Sequence, residues 1–359
     1  MMSNHLKFIN LAHDVASKNL GKTFPNPTVG CVISKNNIII SKAVTSATGR
    51  PHAEEIALKK AGKKAKGAIM YVTLEPCFHN SQNGSCADQI LRSGINKIYI
   101  SCIDQDPRTK KKSISKLKKN KIKVITGIEK DKTISVNNFY FKSLKKKKPF
   151  TKVKMAISND NKIAWSNYKS KWISNSKSRA YVHSLREKTQ AILTTSKTIL
   201  IDNPRFTVRK KNKIIKNLNV IIIDKNLNIP LNINLLKNLH ERRVIIFTSK
   251  KNKKSQKLKQ LGCEIIEMKI VNNKFDLKKI FSHIYQLKIS DLMVEAGGIL
   301  FADLIKNNLV DEIFLFKAPY IIGEKGVPVI EGNSLNNIKK KLLEIIKFDD
   351  NLYLKYAIK

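Results

Sequence analysis

The chemistry in this chain is concentrated between Pro51 and Cys86, which read PHAEEIALKKAGKKAKGAIMYVTLEPCFHNSQNGSC. His52, Cys77 and Cys86 are nitrogen and sulfur donors of the kind zinc takes. Three of them leave the fourth tetrahedral position to water, as in catalytic rather than closed structural sites. Water bound there loses a proton near neutral pH and becomes a nucleophile. Glu54, two residues after His52, is placed to take that proton and pass it to a leaving amine. Zinc deaminases pair H-x-E with P-C-x-x-C. The first half fits, whereas Asn80 occupies the second cysteine position, so the partner of Cys77 is Cys86 across an insert that includes His79. A lone His-x-Glu or Pro-Cys says little; the signal is their conjunction in order. His79 as a fourth ligand, which would make the zinc structural, stays open at this point.

The surrounding pattern supplies the elements that must hold these groups. Ile56, Ala57, Leu58 and Ala61 give the run after His52 one buried helical side, Ala68–Leu74 reads as a strand, and Cys86 opens an amphipathic run with Ile90 and Leu91. All three ligands are therefore expected at helix beginnings, where the backbone dipole favours thiolates. Upstream lie a helix (Leu6–Leu20), the loop Phe24–Gly30, a strand (Cys31–Ser34) and a hairpin turn at Asn36-Asn37 into Ile38–Val44. Prolines on both sides of Asn26 fix its backbone, which suits an anchor for a polar ring or a plain turn. Strands at Lys97–Cys102 and Lys121–Thr126, alternating with helices and followed by one short helix before Phe150, imply a sheet covered on both faces.

The lysine run Lys145–Lys148 before Pro149 reads as a linker, giving domains at 1–146 and 147–359. The second half starts again with a strand at Thr151–Ile157 and a helix at Ser176–Glu187. Strands follow at 191–194, 220–223, 244–248 and 263–266, then a helix at 277–287 and a strand at 292–295. Strands at 312–316 and 352–357 are expected at the sheet edges. Glu295-Ala296-Gly297-Gly298 ends a strand and enters an apolar helix, a turn that suits an anion or a tight connection. No G-x-G-x-x-G is present, which disfavours a dinucleotide fold of that type.

Five cysteines in 359 residues argue against a disulfide scaffold, and no apolar run reaches membrane-span length; a cytoplasmic protein is expected. The net charge of +42 comes from lysines spread along the whole chain that seldom alternate with exposed aromatics, so no specific nucleic-acid surface is read from it. A nucleic-acid base deaminase, for instance on tRNA, with an accessory domain and a zinc-stabilised binding protein are the competing readings.

The blocks PNPTVGCVI, PHAEE, TLEPC with a second Cys nine positions on, KWIS, AILTTSKTILIDNPRFTVR and VEAGG fall in one order along the chain. Together they resemble the bifunctional deaminase/reductase family of riboflavin biosynthesis, the RibD type, over essentially the full length. The resemblance implies an α/β fold with a cytidine-deaminase-like α/β/α domain followed by a dihydrofolate-reductase-like α/β domain. It also implies two reactions: zinc-hydroxide deamination of 2,5-diamino-6-(5-phosphoribosylamino)pyrimidin-4-one, then NADPH reduction of the ribosyl group to a ribityl chain. One Zn2+ per deaminase domain, a phosphorylated pyrimidine substrate and a homodimer or homotetramer go with it. Carried onto this sequence, Asn26 and His79 position the pyrimidine, while Lys154 and Glu295 face the ribosyl end. Ser170, Arg186, Phe206 and Arg209 join Glu295 on the substrate, with the arginine forks suited to phosphate. Ile157, Trp172, Thr198, Asp202, Gly297, Gly298, Ile299 and Leu300 fall to the cofactor. The chain departs from the family pattern at Arg108-Thr109 and Lys110–Lys112, where Asn-Pro and Gly-x-Gly are usual. At 158–161, Ser-Asn-Asp-Asn replaces Ser-Leu-Asp-Gly, and Asn161 is expected to adopt the left-handed conformation in place of the glycine.

Overall fold

Runs such as Val220–Ile223 and Val244–Phe247 have no polar face, so a sheet built from them must be covered on both sides. The computed structural model describes residues 2–79, 84–167, 173–211, 213–331 and 338–358. It falls into two compact units, Met1–Lys147 and Lys148–Lys359.

The first unit runs α1 (Met2–Ser17), β1 (Gly30–Lys35), β2 (Ile38–Val44), α2 (Ala53–Ala61), β3 (Ile69–Leu74), α3 (Cys86–Ser93), β4 (Lys97–Cys102), α4 (Lys112–Lys119), β5 (Lys123–Thr126), α5 (Lys130–Val136) and α6 (Asn138–Lys146). Its strand order is β2-β1-β3-β4-β5, antiparallel on both sides of β1 and parallel from β3 to β5. Alternate side chains feed two cores. Cys31, Ile33, Met70, Val72, Ile98 and Ile100 pack with Ala57 of α2 and Ile90 of α3, while Val32, Tyr71 and Tyr99 pack with Phe8, Ile9 and Ala12 of α1. The helix α1 lies so close that a Cβ on Gly30 would sit 1.9 Å from the Ala12 carbonyl oxygen. Asn36 and Asn37 both take positive φ, 51° and 61°, the turn expected of them. The segment before Phe150 differs from expectation and holds two helices. Asn137 separates them by leaving helical geometry and clamping Thr28, donating to its carbonyl and accepting from its N–H. The strand expected from Lys121 begins at Lys123, because Lys121 closes the preceding turn at φ 64°.

The second unit runs β6 (Phe150–Ile157), β7 (Lys162–Ala164), α7 (Ser176–Glu187), β8 (Ala191–Thr195), α8 (Ser196–Asp202), β9 (Thr207–Lys210), β10 (Lys213–Asn217), β11 (Asn219–Ile223), β12 (Val244–Thr248), α9 (Lys253–Gln260), β13 (Glu264–Glu267), α10 (Leu277–Gln286), β14 (Asp291–Val294), α11 (Gly298–Lys306), β15 (Glu312–Lys317), β16 (Val327–Pro328), β17 (Lys340–Phe348) and β18 (Asn351–Ile358). The main sheet has the order β13-β12-β11-β8-β14-β6-β15-β18-β17. It is parallel from β13 to β15 and antiparallel over the last two pairings. Ile221, Ile245 and Phe247 meet Ile280, Phe281 and Ile284 of α10 on one face; Val220, Ile222, Val244 and Ile246 meet Leu258 of α9 on the other. The strands expected at the edges, β15 and β18, are interior. The edge on that side is β17, an exposed strand whose lysines and apolar residues do not alternate cleanly, which is why its sequence gives no strand signal. No helix among the described residues is long and apolar enough to cross a membrane.

Candidate metal and reductase sites

His52 is the residue immediately before α2, and Glu54 is buried in the first turn of that helix. Cys77 follows β3 after Glu75 and Pro76. Cys86 is the first residue of α3, whose start is fixed by a capping box between Ser85 and Asp88. These elements converge: His52 Nδ1 lies 3.3 Å from Cys86 Sγ, and the Cys86 N–H donates to Cys77 Sγ at 3.3 Å. One ligand atom from each of the three residues lies within 4.8 Å of the others. An N,S,S donor set of this compactness fits zinc, whose bonds of about 2.0–2.3 Å place neighbouring tetrahedral ligands less than about 4 Å apart. Among the described residues the group has three members and does not include His79, so the four-ligand structural site is not what the geometry offers. The expectation that all three ligands begin helices needs correction, since Cys77 sits in a loop. Its sulfur nevertheless meets the N-terminus of α3 through space, which keeps the electrostatic argument.

Protonation follows the same contacts. The Cys86 thiol donates to Cys77, and with His52 and the Cys86 backbone N–H it holds Cys77 well below the ordinary thiol range. That bond, followed by burial, pushes Cys86 up. Burial raises the Glu54 carboxyl, opposed by His52 and by a hydrogen bond with Cys86. Asn26 does not point freely into a site: its Nδ2 donates to the Gly49 carbonyl at 2.9 Å, which fixes its amide plane. His79 Nε2 lies 3.5 Å from Arg50 Nη2, its buried Nδ1 has no partner among the described residues, and burial lowers its pKa.

Sequence reasoning missed the wall that holds the metal loop. Glu75, 3% exposed, accepts from the Asp104 N–H (3.2 Å), the Lys111 N–H (3.0 Å) and Ser113 Oγ (2.7 Å). The buried Asp106 carboxylate takes a forked bond from Arg108. Burial raises Asp104 to about 6 while Tyr140 donates to it at 2.9 Å. The available signal was a carboxylate at the end of an apolar strand in TLEPC.

In the second unit the structure gathers Lys154, Arg186, Asp202 and Glu295. Arg186 Nε and Nη2 bond to the two carboxylate oxygens of Glu295 at 2.7 and 2.8 Å, and Nη1 lies 3.4 Å from the Thr207 carbonyl oxygen. The fork expected to hold a phosphate is thus engaged by a buried carboxylate. Burial lowers Lys154, opposed by Glu295 and Asp202; burial raises Glu295, but Arg186 and Lys154 hold it below its ordinary value. Arg209 reaches this region through its N–H to His183 Nδ1 (3.2 Å) and its Nε to Thr207 Oγ1 (3.2 Å). His183, one helical turn before Arg186, was not singled out from sequence.

The side chains of Ile157 and Leu300 lie in the core, so these residues face a cofactor only through their backbone. Phe206 is likewise buried, beneath the Arg186 guanidinium, 5.7 Å from its ring centre. Thr198 pairs with Thr195 at the start of α8. Ile299 is exposed, and a Cβ on Gly297 would meet open space, whereas one on Gly298 would lie 2.8 and 2.9 Å from the Val329 and Pro328 carbonyl oxygens. Only the first glycine therefore leaves room for a ligand. Ser170 and Trp172 lie outside the described residues.

Two family models match the two units: the cytidine and deoxycytidylate deaminase zinc-binding region over residues 2–102, and the RibD C-terminal domain over residues 149–354. The riboflavin biosynthesis protein RibD of Aquifex aeolicus is 36% identical over 345 residues, covering 93% of this chain and 94% of that protein. Its counterpart in Buchnera aphidicola is 34% identical, covering 92% and 91%. RibD of Acinetobacter baumannii superposes with a TM-score of 0.90 at 29% identity over 100% of both chains. A diaminohydroxyphosphoribosylaminopyrimidine deaminase/5-amino-6-(5-phosphoribosylamino)uracil reductase from Thermotoga maritima gives 0.86 at 28% identity over 99% of each. With a three-ligand metal group and a buried glutamate in one unit and a reductase-type α/β sheet in the other, the chain belongs to the RibD family, the bifunctional deaminase/reductases of riboflavin biosynthesis.

Proposed function

We propose that the unit at 1–146 deaminates 2,5-diamino-6-(5-phosphoribosylamino)pyrimidin-4-one and that the unit at 147–359 reduces the ribosyl group of its product, with NADPH as the hydride source. The observation that carries the first step is Glu54 buried against a convergent His52, Cys77 and Cys86. Zinc, held by those three side chains, supplies the Lewis acidity that activates water near neutral pH. Glu54 takes the proton of the attacking water and delivers it to the departing amino group, which leaves as ammonia; its raised proton affinity suits both halves of that transfer. Asn26 and His79 orient the ring.

For the second step, NADPH supplies the hydride to C1 of the ribosyl group. Gly297 and the N-terminus of α11 suit its phosphates, and the family resemblance assigns Thr198, Asp202 and Trp172 to the same cofactor. Lys154, with its proton loosened by burial, protonates the sugar ring oxygen as the ring opens. Glu295, kept ionised by Arg186, stabilises the positive charge that develops at C1. Arg209 meets the substrate phosphate, together with Ser170. NADPH rather than NADH follows from the family resemblance. Five free cysteines fit a reducing, cytoplasmic setting. The exposed Leu342, Leu343 and Ile345 on the edge strand β17 support a homodimer or homotetramer, which light scattering measures directly.

The deciding experiment supplies the diaminopyrimidine ribosyl phosphate and follows ammonia release and NADPH oxidation separately. Ammonia first and NADPH oxidation second supports the reading. Neither signal from zinc-loaded protein overturns it.

A further inference from the structure

The β9–β10 hairpin and the segment 234–242 border a cavity of about 130 Å³ that the two proposed reactions do not use. Arg205, Lys237 and Arg242 line it with Thr207, Asn217 and Asn234, and among the described residues no carboxylate does. Arg242 is only 7% exposed. Its Nη1 donates to the Arg205 carbonyl at 2.7 Å and its Nη2 to Asn217 Oδ1 at 2.5 Å, while its buried Nε has no acceptor among the described residues. The neighbouring Glu241 does not pair with it; that carboxylate faces His240 at 3.3 Å and accepts from Asn217 Nδ2. A guanidinium stays charged at any accessible pH; burial works against the Arg242 charge, and the Glu241 carboxylate favours it through space. The three basic side chains bring more positive charge to the cavity than Glu241 offsets, and an anion drawn from solution balances the remainder.

We propose that this cavity is a phosphate-binding site, in which Arg242, Arg205 and Lys237 neutralise one phosphoryl group, and Thr207 Oγ1 and the second N–H of the Asn217 and Asn234 amides, whose first goes to Glu241 and to the Asn203 carbonyl, donate to its oxygens. Its volume holds several water molecules and so admits a phosphoryl group. A guanidinium flanked by an ammonium and amide donors matches a tetrahedral oxyanion better than chloride, because several oxygens are bonded at once. Free phosphate and the phosphate of a small phosphomonoester share that chemistry.

The test titrates inorganic phosphate calorimetrically into the full-length zinc-loaded protein, with ionic strength held constant by sodium chloride. Lys237→Glu and Arg205→Ala alter exposed side chains and so leave the fold intact. Each is expected to weaken binding about ten-fold or more, the loss of one charged contact. Arg209→Ala, which removes the arginine assigned to the reductase substrate and one bond to Thr207 Oγ1, is expected to weaken binding here far less than Lys237→Glu or Arg205→Ala. Ribose 5-phosphate in place of inorganic phosphate distinguishes the sources: tighter binding with the same sensitivity to Lys237→Glu identifies a phosphomonoester site, weaker binding a free-phosphate site. Affinity that Lys237→Glu and Arg205→Ala leave unchanged, or a signal that chloride reproduces, overturns the proposal.

Discussion

Replacing Arg186 by Met is the sharpest test of how the reductase cluster is held. The Arg186 and Glu295 side chains are 16% and 11% exposed and share two short bonds. Breaking a buried pair by removing one member costs about 3–5 kcal/mol, because the remaining charge is stranded. Lys154 stays near Glu295 and offsets part of that, which places the expected loss at about 2–3 kcal/mol. At roughly 2–4 °C per kcal/mol for a unit of this size, the reductase transition falls by about 4–12 °C. The sign of the pH dependence is fixed by the same contacts. In the wild type Glu295 lies below its ordinary 4.5, so its ionisation adds stability above that pH, and the contribution fades as pH falls through the folded value. Without Arg186, burial dominates and the carboxyl rises, so ionisation becomes a penalty at neutral pH that acid relieves. The deficit of Arg186→Met against wild type should therefore shrink between pH 7 and pH 5 in urea titrations. Adding Glu295→Gln should recover part of it, since no stranded carboxylate remains. A deficit that is flat with pH, or a double variant additive in its two losses, would refute the reasoning.

Other expectations follow from single contacts. Glu54→Gln should lower ammonia release about 10²–10⁴-fold, with zinc content by metal analysis and NADPH oxidation of already deaminated substrate unchanged; equal loss of both activities would count against its role. Gly298→Ala forces a Cβ against two carbonyl oxygens and should cost about 1–3 kcal/mol in denaturation, whereas Gly297→Ala should leave stability intact and raise the KM for NADPH. Glu75→Ala leaves the Asp104 and Lys111 N–H groups and Ser113 Oγ without their acceptor and should destabilise the deaminase unit by about 1–3 kcal/mol, read as an earlier melting transition.

The metal group was legible because its residue types carry their chemistry with them: a His-x-Glu, a Pro-Cys and a later Cys converge in few ways. Strands such as Val244–Thr248 were legible because buried parallel strands leave continuous apolar runs. Charged residues were less so. Nothing in the sequence marks Glu295, 109 positions from Arg186, as the group that engages its fork, and an arginine read in isolation is assigned to whatever anion the substrate offers. Family motifs assigned Ile157 and Leu300 to the cofactor and Phe206 to the substrate but could not say that their side chains turn into the core. The edge strand β17 escaped because an exposed strand has no buried face to impose a period of two.

The departures of this chain from the family pattern fall on how backbone is held, and the structure shows what replaces the missing glycines. Lys111, within the stretch where Gly-x-Gly is usual, takes φ 61°, and Asn161 takes φ 62°. A side chain in that region costs about 1–2 kcal/mol, less for asparagine. Lys111 recovers it by donating its N–H to the buried Glu75 carboxylate, a charge-assisted bond worth about 1.5–3 kcal/mol. At Asn161 the carbonyl accepts from the Val329 N–H at 3.0 Å, joining this turn to the backbone stretch that crowds Gly298. Each substitution therefore keeps the turn by tying it to a neighbour of a proposed site: Glu75 two residues before Cys77, and residues 328–329 against the start of α11. The loops depart from the family pattern in sequence while His52, Cys77 and Cys86 still converge and Gly297 still precedes α11, the arrangement on which both proposed reactions rest.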